Sequence, residues 1–162
     1  MEISMRRLTL AILAATSVLT SISASALTAK QSVEKEVVVR MPDGTESITR
    51  GPAELVIPGE RVVYTLSYTN DDAAPATDLV LTMPVPSEIK YMDGSANDAG
   101  AQVVYSADGG QTFASRTGLR VIGVDGNSRT AISEDITHIR WTVAGPVAVG
   151  ETGTLSYKGT LK

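Results

Sequence analysis

The feature that most constrains the fold of this chain is the period-two pattern between Arg61 and Asn70, which reads RVVYTLSYTN. Successive side chains of a β-strand point to opposite faces of the sheet, so alternate residues of this segment share one face. The large apolar residues of one face are Val62, Tyr64, Leu66 and Tyr68. The segment is therefore predicted to be a strand with one face in a core and the other face largely in water.

Short runs of the same kind, bounded by Gly, Pro, Asn and Asp, recur roughly every ten residues, which is typical of an all-β domain. Besides 61–70, the runs cover residues 33–40, 45–49, 54–57, 78–83, 101–106, 111–114, 119–124, 136–143 and 153–161. They predict roughly seven to nine strands. Helical periodicity is hard to find anywhere in the chain.

Turn residues separate these runs in the places that an antiparallel sheet requires. Residues 41–44 (MPDG) and 108–110 (DGG) predict hairpins, because Gly supplies a positive φ and Asp bonds to its own backbone. Proline residues at 58, 84, 86 and 146 end strands, since proline donates no hydrogen bond to a ladder. Together these signals favour an immunoglobulin-like Greek-key β-sandwich over a meander barrel.

The first 26 residues have the three zones of a cleavable export signal. Arg6 and Arg7 form a positive region, and an uncharged apolar stretch follows at 8–19. This stretch is shorter than the roughly 20 apolar residues that span a bilayer. Small residues at 24–26 (ASA) precede a predicted mature start at Leu27. We therefore expect a signal peptide at 1–26, a single domain at 27–162, and a periplasmic, extracellular or cell-surface location.

Charge and cysteine content narrow the classes of function. Removal of residues 1–26 leaves 12 basic and 17 acidic residues, a net charge of 12 − 17 = −5. A charge of this sign predicts no nucleic-acid partner. The chain contains no cysteine, which excludes disulfides, thiolate metal sites and a lipid-modified cysteine. After signal cleavage no stretch is long enough to span a membrane.

A longer pattern carries a resemblance to a known family. The matching residues of segment 57–91 are Pro58, Gly59, Tyr64, Thr65, Thr69, Asn70, Leu79, Val80, Leu81, Pro84, Pro86 and Tyr91. Trp141 and the Val149-Gly150-Glu151 triplet continue the pattern before the last strand. The chain resembles the domain of unknown function that is repeated in tandem in bacterial and archaeal surface proteins, although it holds a single copy. The resemblance implies an immunoglobulin-like sandwich, a place outside the cytoplasm, a structural role and no catalytic residues.

Segment 106–113 (SADGGQTF) resembles the Asp-box of sialidases and other β-propellers. Its physical content is a capped hairpin: Asp108 accepts hydrogen bonds from backbone amides and Gly110 adopts a positive φ. A propeller needs several blades, which a domain of this length does not supply. The segment therefore predicts a turn and no sialidase activity.

No residues form a recognisable catalytic or metal-binding set. His138 is the sole histidine, and its phase places it opposite Ile139 and Trp141, so we expect it at the surface or at a sheet edge. A catalytic triad would need a serine and a carboxylate beside it. We expect no enzyme activity, no catalytic residues, no cofactor and no metal ligand.

Two weaker hypotheses concern acidic turns and a lysine. The acidic residues Asp71, Asp72, Asp78, Asp93 and Asp98 are predicted to lie in solvated turns, with a calcium site as the alternative. Lys35 is in phase with Val33, Val37 and Val39, which are predicted to lie on a buried face, and Asn70 is in phase with the core of 61–70. An isopeptide bond between these two side chains is a hypothesis, while a lysine extending into water along the sheet rim is the simpler interpretation.

The sequence thus favours a non-enzymatic structural or interaction module of the cell envelope or surface. Its expected partners are other envelope or surface proteins. Copies of itself are a further candidate through the terminal segments 27–40 and 153–161, because a terminal strand can be added to another sheet, while pairing of these segments within one chain is the favoured alternative. The alternative is a carbohydrate- or protein-binding, adhesin-like module that uses loops at one end of the sandwich. For that alternative, Tyr91 and Tyr105 are the candidate surface rings.

Overall fold

The alternating runs form strands that pair into antiparallel sheets. In a computed structural model, which describes residues 27–162, the chain forms ten strands and a 3-10 helix. The strands are β1 (Leu27–Arg40), β2 (Glu46–Pro52), β3 (Arg61–Asn70), β4 (Val80–Pro84), β5 (Ile89–Tyr91), β6 (Ala101–Ser106), β7 (Arg120–Ile122), β8 (Ser128–Thr130), β9 (His138–Val143) and β10 (Thr152–Leu161). The 3-10 helix covers Ser133–Asp135. The predicted signal peptide, 1–26, lies outside the described residues.

Two sheets form the body of the domain. The larger sheet has the order β2-β1-β3-β10-β5, the second has the order β4-β9-β6, and β7 and β8 form a two-stranded sheet. The first three strands belong to one sheet, and the chain then crosses between the two larger sheets after β3, β4, β5 and β9. These crossings differ from the neighbour-to-neighbour connections of a meander. The predicted fold class, an all-β sandwich, is confirmed, with ten strands in the described residues where seven to nine were predicted.

Aromatic side chains fill the space between the sheets. Trp141 on β9 and Tyr157 on β10 are fully buried, and Tyr64 on β3 stacks on Tyr157 with ring centroids 4.9 Å apart. The polar end of each buried ring has a partner: Tyr157 Oη donates to the carbonyl oxygen of Pro84 at 2.6 Å, and Trp141 Nε1 donates to that of Asn97 at 2.7 Å. Large rings can be buried here because their single polar atoms are satisfied.

Two glycines let the last strand pack closely. Gly153 of β10 lies opposite Tyr68 of β3, and a Cβ at this position would overlap the Tyr68 ring. A Cβ at Gly159 would likewise overlap the side chain of Ile89. Glycine is required at both positions because a neighbouring side chain occupies the volume that any larger residue would need.

A loop covers the exposed edge of β10. This strand pairs with β5 only at residues 159–161, so its remaining edge faces the loop 92–98. Asn97 acts there as a strand residue: its backbone amide donates to the carbonyl oxygen of Ser156 at 2.9 Å, and its Oδ1 accepts from the Ser156 amide at 2.6 Å. Asn97 Nδ2 also donates to the carbonyl oxygen of Thr154 at 3.1 Å. This edge therefore offers few free groups to another strand.

The turn predicted from the Asp-box resemblance is confirmed. Asp108 accepts from the backbone amides of Gln111 and Thr112, both at 3.0 Å, and from the hydroxyl of Ser106 at 2.7 Å. Gly110 has φ 85°. The Thr112 hydroxyl also donates to Asp108, and this bond is the main reason that the pKa of Asp108 lies well below its usual value. The other bonds lower the pKa further. The hairpin predicted at 41–44 is also present, between β1 and β2.

Other strand predictions need correction. Residues 54–57 form no strand, because Pro52 and Pro58 bracket them and no neighbouring strand pairs with them. Residues 111–114 form only one bridge, between Ala114 and Tyr105, because the Asp108 carboxylate holds the amides of the turn. Strands β5 and β8 were not among the predicted runs, since three residues each are too few to show a period.

Asn70 provides a test of the core. Its side chain is fully buried, with Nδ2 donating to the carbonyl oxygens of Ala74 and Val147 at 3.0 and 2.9 Å. Asn70→Ala should lower the free energy of unfolding by about 1–3 kcal/mol, because both carbonyl groups lose a buried donor. Urea unfolding measures this change. The exposed substitution Asn127→Ala is the control, with an expected effect within about 0.5 kcal/mol; equal effects would contradict the role of Asn70.

Asp108 provides a test by pH. The pKa of Asp108 is lower in the folded chain than the usual value of about 3.9. Ionised Asp108 therefore stabilises the fold fully at pH values above about 3.9. This stabilisation declines as the pH falls through the pKa of the folded chain. The difference in unfolding free energy between the wild type and Asp108→Asn should therefore be largest near pH 7 and shrink below about pH 4. Asp71→Asn controls for the change in charge. A difference that stays constant across this range would rule out the contribution.

Candidate functional site

The histidine has a structural environment. His138 begins β9 on the face opposite Ile139 and Trp141, as predicted, and is half-buried. Its Nδ1 lies 3.2 Å from Thr137 Oγ1, and its ring packs beside Gly110. No carboxylate forms a hydrogen bond with this ring within residues 27–162. Within the described residues, His138 thus has a packing role, in which its ring lies against the turn that contains Asp108 and Gly110.

The hypothesis of a bond between Lys35 and Asn70 is wrong. In the pairing of β1 with β3, Lys35 lies opposite Val62, whereas Asn70 lies opposite Leu27 at the other end of the ladder. Eight residues of extended strand separate the two by roughly 25 Å. Lys35 Nζ instead donates to the carbonyl oxygen of Leu55 at 3.0 Å and lies 3.8 Å from Glu60. The lysine remains partly in water, as the simpler interpretation expected.

The prediction of surface rings at Tyr91 and Tyr105 is also wrong. Tyr91 is 1% exposed and Tyr105 is 8% exposed. Their hydroxyl oxygens lie 3.3 Å apart, and burial raises the pKa of Tyr105. The physical reason is that β5 and β6 direct these rings into the core, which the sequence does not reveal because β5 is short and its partner, β10, is distant in the chain.

The acidic turns hold the fold together. Asp93 accepts from Arg116 Nε at 2.6 Å and from the Ser133 hydroxyl at 2.7 Å, and the hydrogen bond with Arg116 is the main cause of its lowered pKa. Asp72 accepts from the amide of Ala73 at 2.7 Å. Across the described part of the chain, no three His, Asp or Glu side chains converge as a metal ion would require. The alternative of a calcium site receives no support from these residues.

The most unusual surface is the hairpin formed by β1 and β2, which we call the apolar hairpin (residues 36–50). Eight of the thirteen exposed large apolar side chains of the described chain fall between residues 33 and 57. Five of them belong to the apolar hairpin, namely Val37, Val38, Val39, Met41 and Ile48, and Val33, Leu55 and Ile57 flank it in the sequence. Single exposed apolar residues are ordinary, but such a concentration is typical of an interaction surface.

The hairpin extends past the rest of the sandwich. Strand β3 pairs with β1 only as far as Lys35, so residues 36–40 of β1 have β2 as their sole partner strand. Beyond Glu36, both faces of this extension therefore meet solvent. On one face, Val38 and Ile48 lie directly opposite each other and are 53% and 55% exposed. Val37 and Val39 lie on the other face.

A charge pair fixes the base of the hairpin. The Glu36 side chain is only 3% exposed, and Oε1 accepts from Lys158 Nζ of β10 at 2.5 Å. Its second oxygen, Oε2, is buried and has no hydrogen-bond partner among the described residues. A buried carboxylate needs such a partner, so Lys158 holds this part of β1 against the main sheet. A cleft beside the pair is lined by Glu36, Ile48 and Arg61 among others.

The outer edge of β2 is open. No backbone group on this side of residues 46–52 forms a hydrogen bond within residues 27–162, apart from the ladder with β1. An open edge can accept a further strand. Sequence reasoning identified both strands but missed this surface. The available signal was three consecutive valines at 37–39, which place apolar side chains on both faces of a strand.

None of the helices among residues 27–162 is long and apolar enough to cross a membrane. The chain matches no protein-family model, no curated protein and no solved structure. The resemblance to the tandem domain of surface proteins accordingly stays a prediction, and the case for a function rests on the sequence and the geometry described above.

Proposed function

We propose that this chain is a non-enzymatic, exported structural or interaction module of the cell envelope or cell surface. The observation that carries the proposal is the apolar hairpin, which exposes large side chains on both faces and leaves a strand edge open. A β-edge next to exposed apolar side chains suits the binding of another protein, since backbone hydrogen bonds and apolar contacts then act together. The export signal predicted at 1–26 supports the location.

The use of charged groups in the fold is consistent with this role. Carboxylates with lowered pKa values make local structural bonds: Asp108 caps a turn, Asp93 binds Arg116, and Asp135 binds Arg129 at 2.6 Å. Perturbed pKa values in a cleft are a signal of catalysis only when the groups are available to a substrate. Here each carboxylate is already engaged by a neighbouring donor.

The arrangement of the terminal strands favours one route of assembly. β10 lies between β3 and β5, so it would have to leave two neighbours before it could join another chain. β1 continues into the apolar hairpin, whose edge is open without any rearrangement. The alternative, an adhesin-like module that binds carbohydrate through end loops, loses its two candidate rings because Tyr91 and Tyr105 are buried.

In whole cells of the native host, a photo-crosslinking amino acid at position 48 tests the proposal. The full-length chain carrying it in place of Ile48 should fractionate with the envelope or the medium and form a covalent protein adduct on illumination. The matched control places the same amino acid at Val124, an exposed position between β7 and β8. An adduct at 48 and none at 124 is the expected result. Retention in the cytoplasm, or no adduct at either position, would overturn the proposal.

A further inference from the structure

We propose that the partner of the apolar hairpin is a second copy of this chain, bound by antiparallel pairing of β2 with β2 about a two-fold axis through Ile48. This inference rests on the proposed function and names its partner. The pairing would join two five-stranded sheets into one continuous sheet. A two-fold interface uses the same patch on both copies, so the patch must be complementary to itself.

The charges of β2 meet this requirement. In the proposed register Glu46 of one copy lies opposite Arg50 of the other, and Arg50 lies opposite Glu46, on either side of the Ile48 pair. Oppositely charged residues directly across an antiparallel pair attract one another. The ladder within each copy already places Arg40 opposite Glu46 and Glu36 opposite Arg50. Read across four strands, each row is therefore Glu36, Arg50, Glu46, Arg40, with alternating sign.

The apolar side chains of the hairpin are also complementary to themselves about the two-fold axis. Val38 and Ile48 form a cross-strand pair in each copy, on the face that carries the charges. The two-fold axis places the two Ile48 side chains side by side, so that a row of four apolar residues crosses the interface. On the opposite face Ser47 lies across from Thr49, a pair that suits antiparallel strands. The row would cover side chains that a single copy leaves more than half exposed.

Other edges of the described sheets are less suited to self-pairing. The edge of β10 is covered by Asn97 and its neighbours, and β5 has only three residues. β4 carries no charge to fix a register. β2 contains no lysine, and its one proline, Pro52, stands at the end of the strand, outside the residues 46–50 that the proposed register pairs. β2 therefore combines an open edge with a pattern that selects one register.

Charge reversal and mixing test the pairing. By sedimentation velocity of the purified mature chain, the wild type should show a species of twice the monomer mass, whereas Arg50→Glu and Glu46→Arg should each remain monomeric because like charges face each other. An equimolar mixture of the two variants should recover the dimer, since both opposite-charge pairs form again between unlike copies. Arg120→Glu, on exposed β7, is the matched control and should stay dimeric. A mixture that remains monomeric, or variants that dimerise alone, would overturn the inference.

Cysteine substitution distinguishes this edge from others. The chain has no cysteine, so a thiol placed at position 48 has no partner within its own chain, and any disulfide between protein chains of the purified variant joins two copies. Residues directly opposite in an antiparallel pair lie about 4.5–5.5 Å apart at Cα, which a disulfide can bridge. With oxidised glutathione, Ile48→Cys should form a covalent dimer, and Val80→Cys on edge strand β4, 49% exposed, should not. A dimer at Val80→Cys alone overturns the register. A monomeric wild type whose position 48 still crosslinks to another protein in cells overturns the self-pairing and leaves the proposed function standing.

Discussion

The pairing of β10 with β3 is the interaction on which the rest of the structure depends. It joins the last strand of the chain to one that begins at Arg61, and β3 in turn carries β1 and the hairpin. It also places Tyr157 against Tyr64 at the centre of the core. The contact is non-local, so closing the intervening chain costs conformational entropy that the buried aromatic contacts offset.

The sequence predicts those elements whose signal is local. β3 and β6 have the predicted bounds because their alternation extends over six or more residues, and the turn at Asp108 follows from short-range bonds of its own side chain. The sequence does not predict elements whose position depends on strands that are distant in the chain. β5 is defined by its pairing with β10, and without that pairing nothing directs Tyr91 inward. The apolar hairpin was missed because the pattern does not show that β3 stops pairing at Lys35.

The backbone groups at the two margins of the larger sheet differ in how far they are covered. Beside β10, Asn97 bonds to Ser156 through both its backbone amide and its side-chain oxygen, which leaves few free groups on an edge that would otherwise be open. Beside β1, the fold leaves β2 uncovered and gives it charges of both signs. Open edges are a general cause of aggregation, and a charge pattern that suits only one neighbour is one means of limiting that risk. Under the proposed self-pairing, the uncovered edge of β2 is the part of the fold that joins two copies.

Gly153 and Gly159 have a consequence for how the last strand finds its place. Each leaves a gap on β10 that a side chain of another strand, Tyr68 or Ile89, fills. A slip of two residues would bring Leu155 opposite Tyr68, where there is no room for it, and a slip of one would turn Leu155 and Tyr157 out of the core. The two glycines thus fix the register of β10: a shifted strand would either place a side chain where Tyr68 or Ile89 already lies or turn core residues into water.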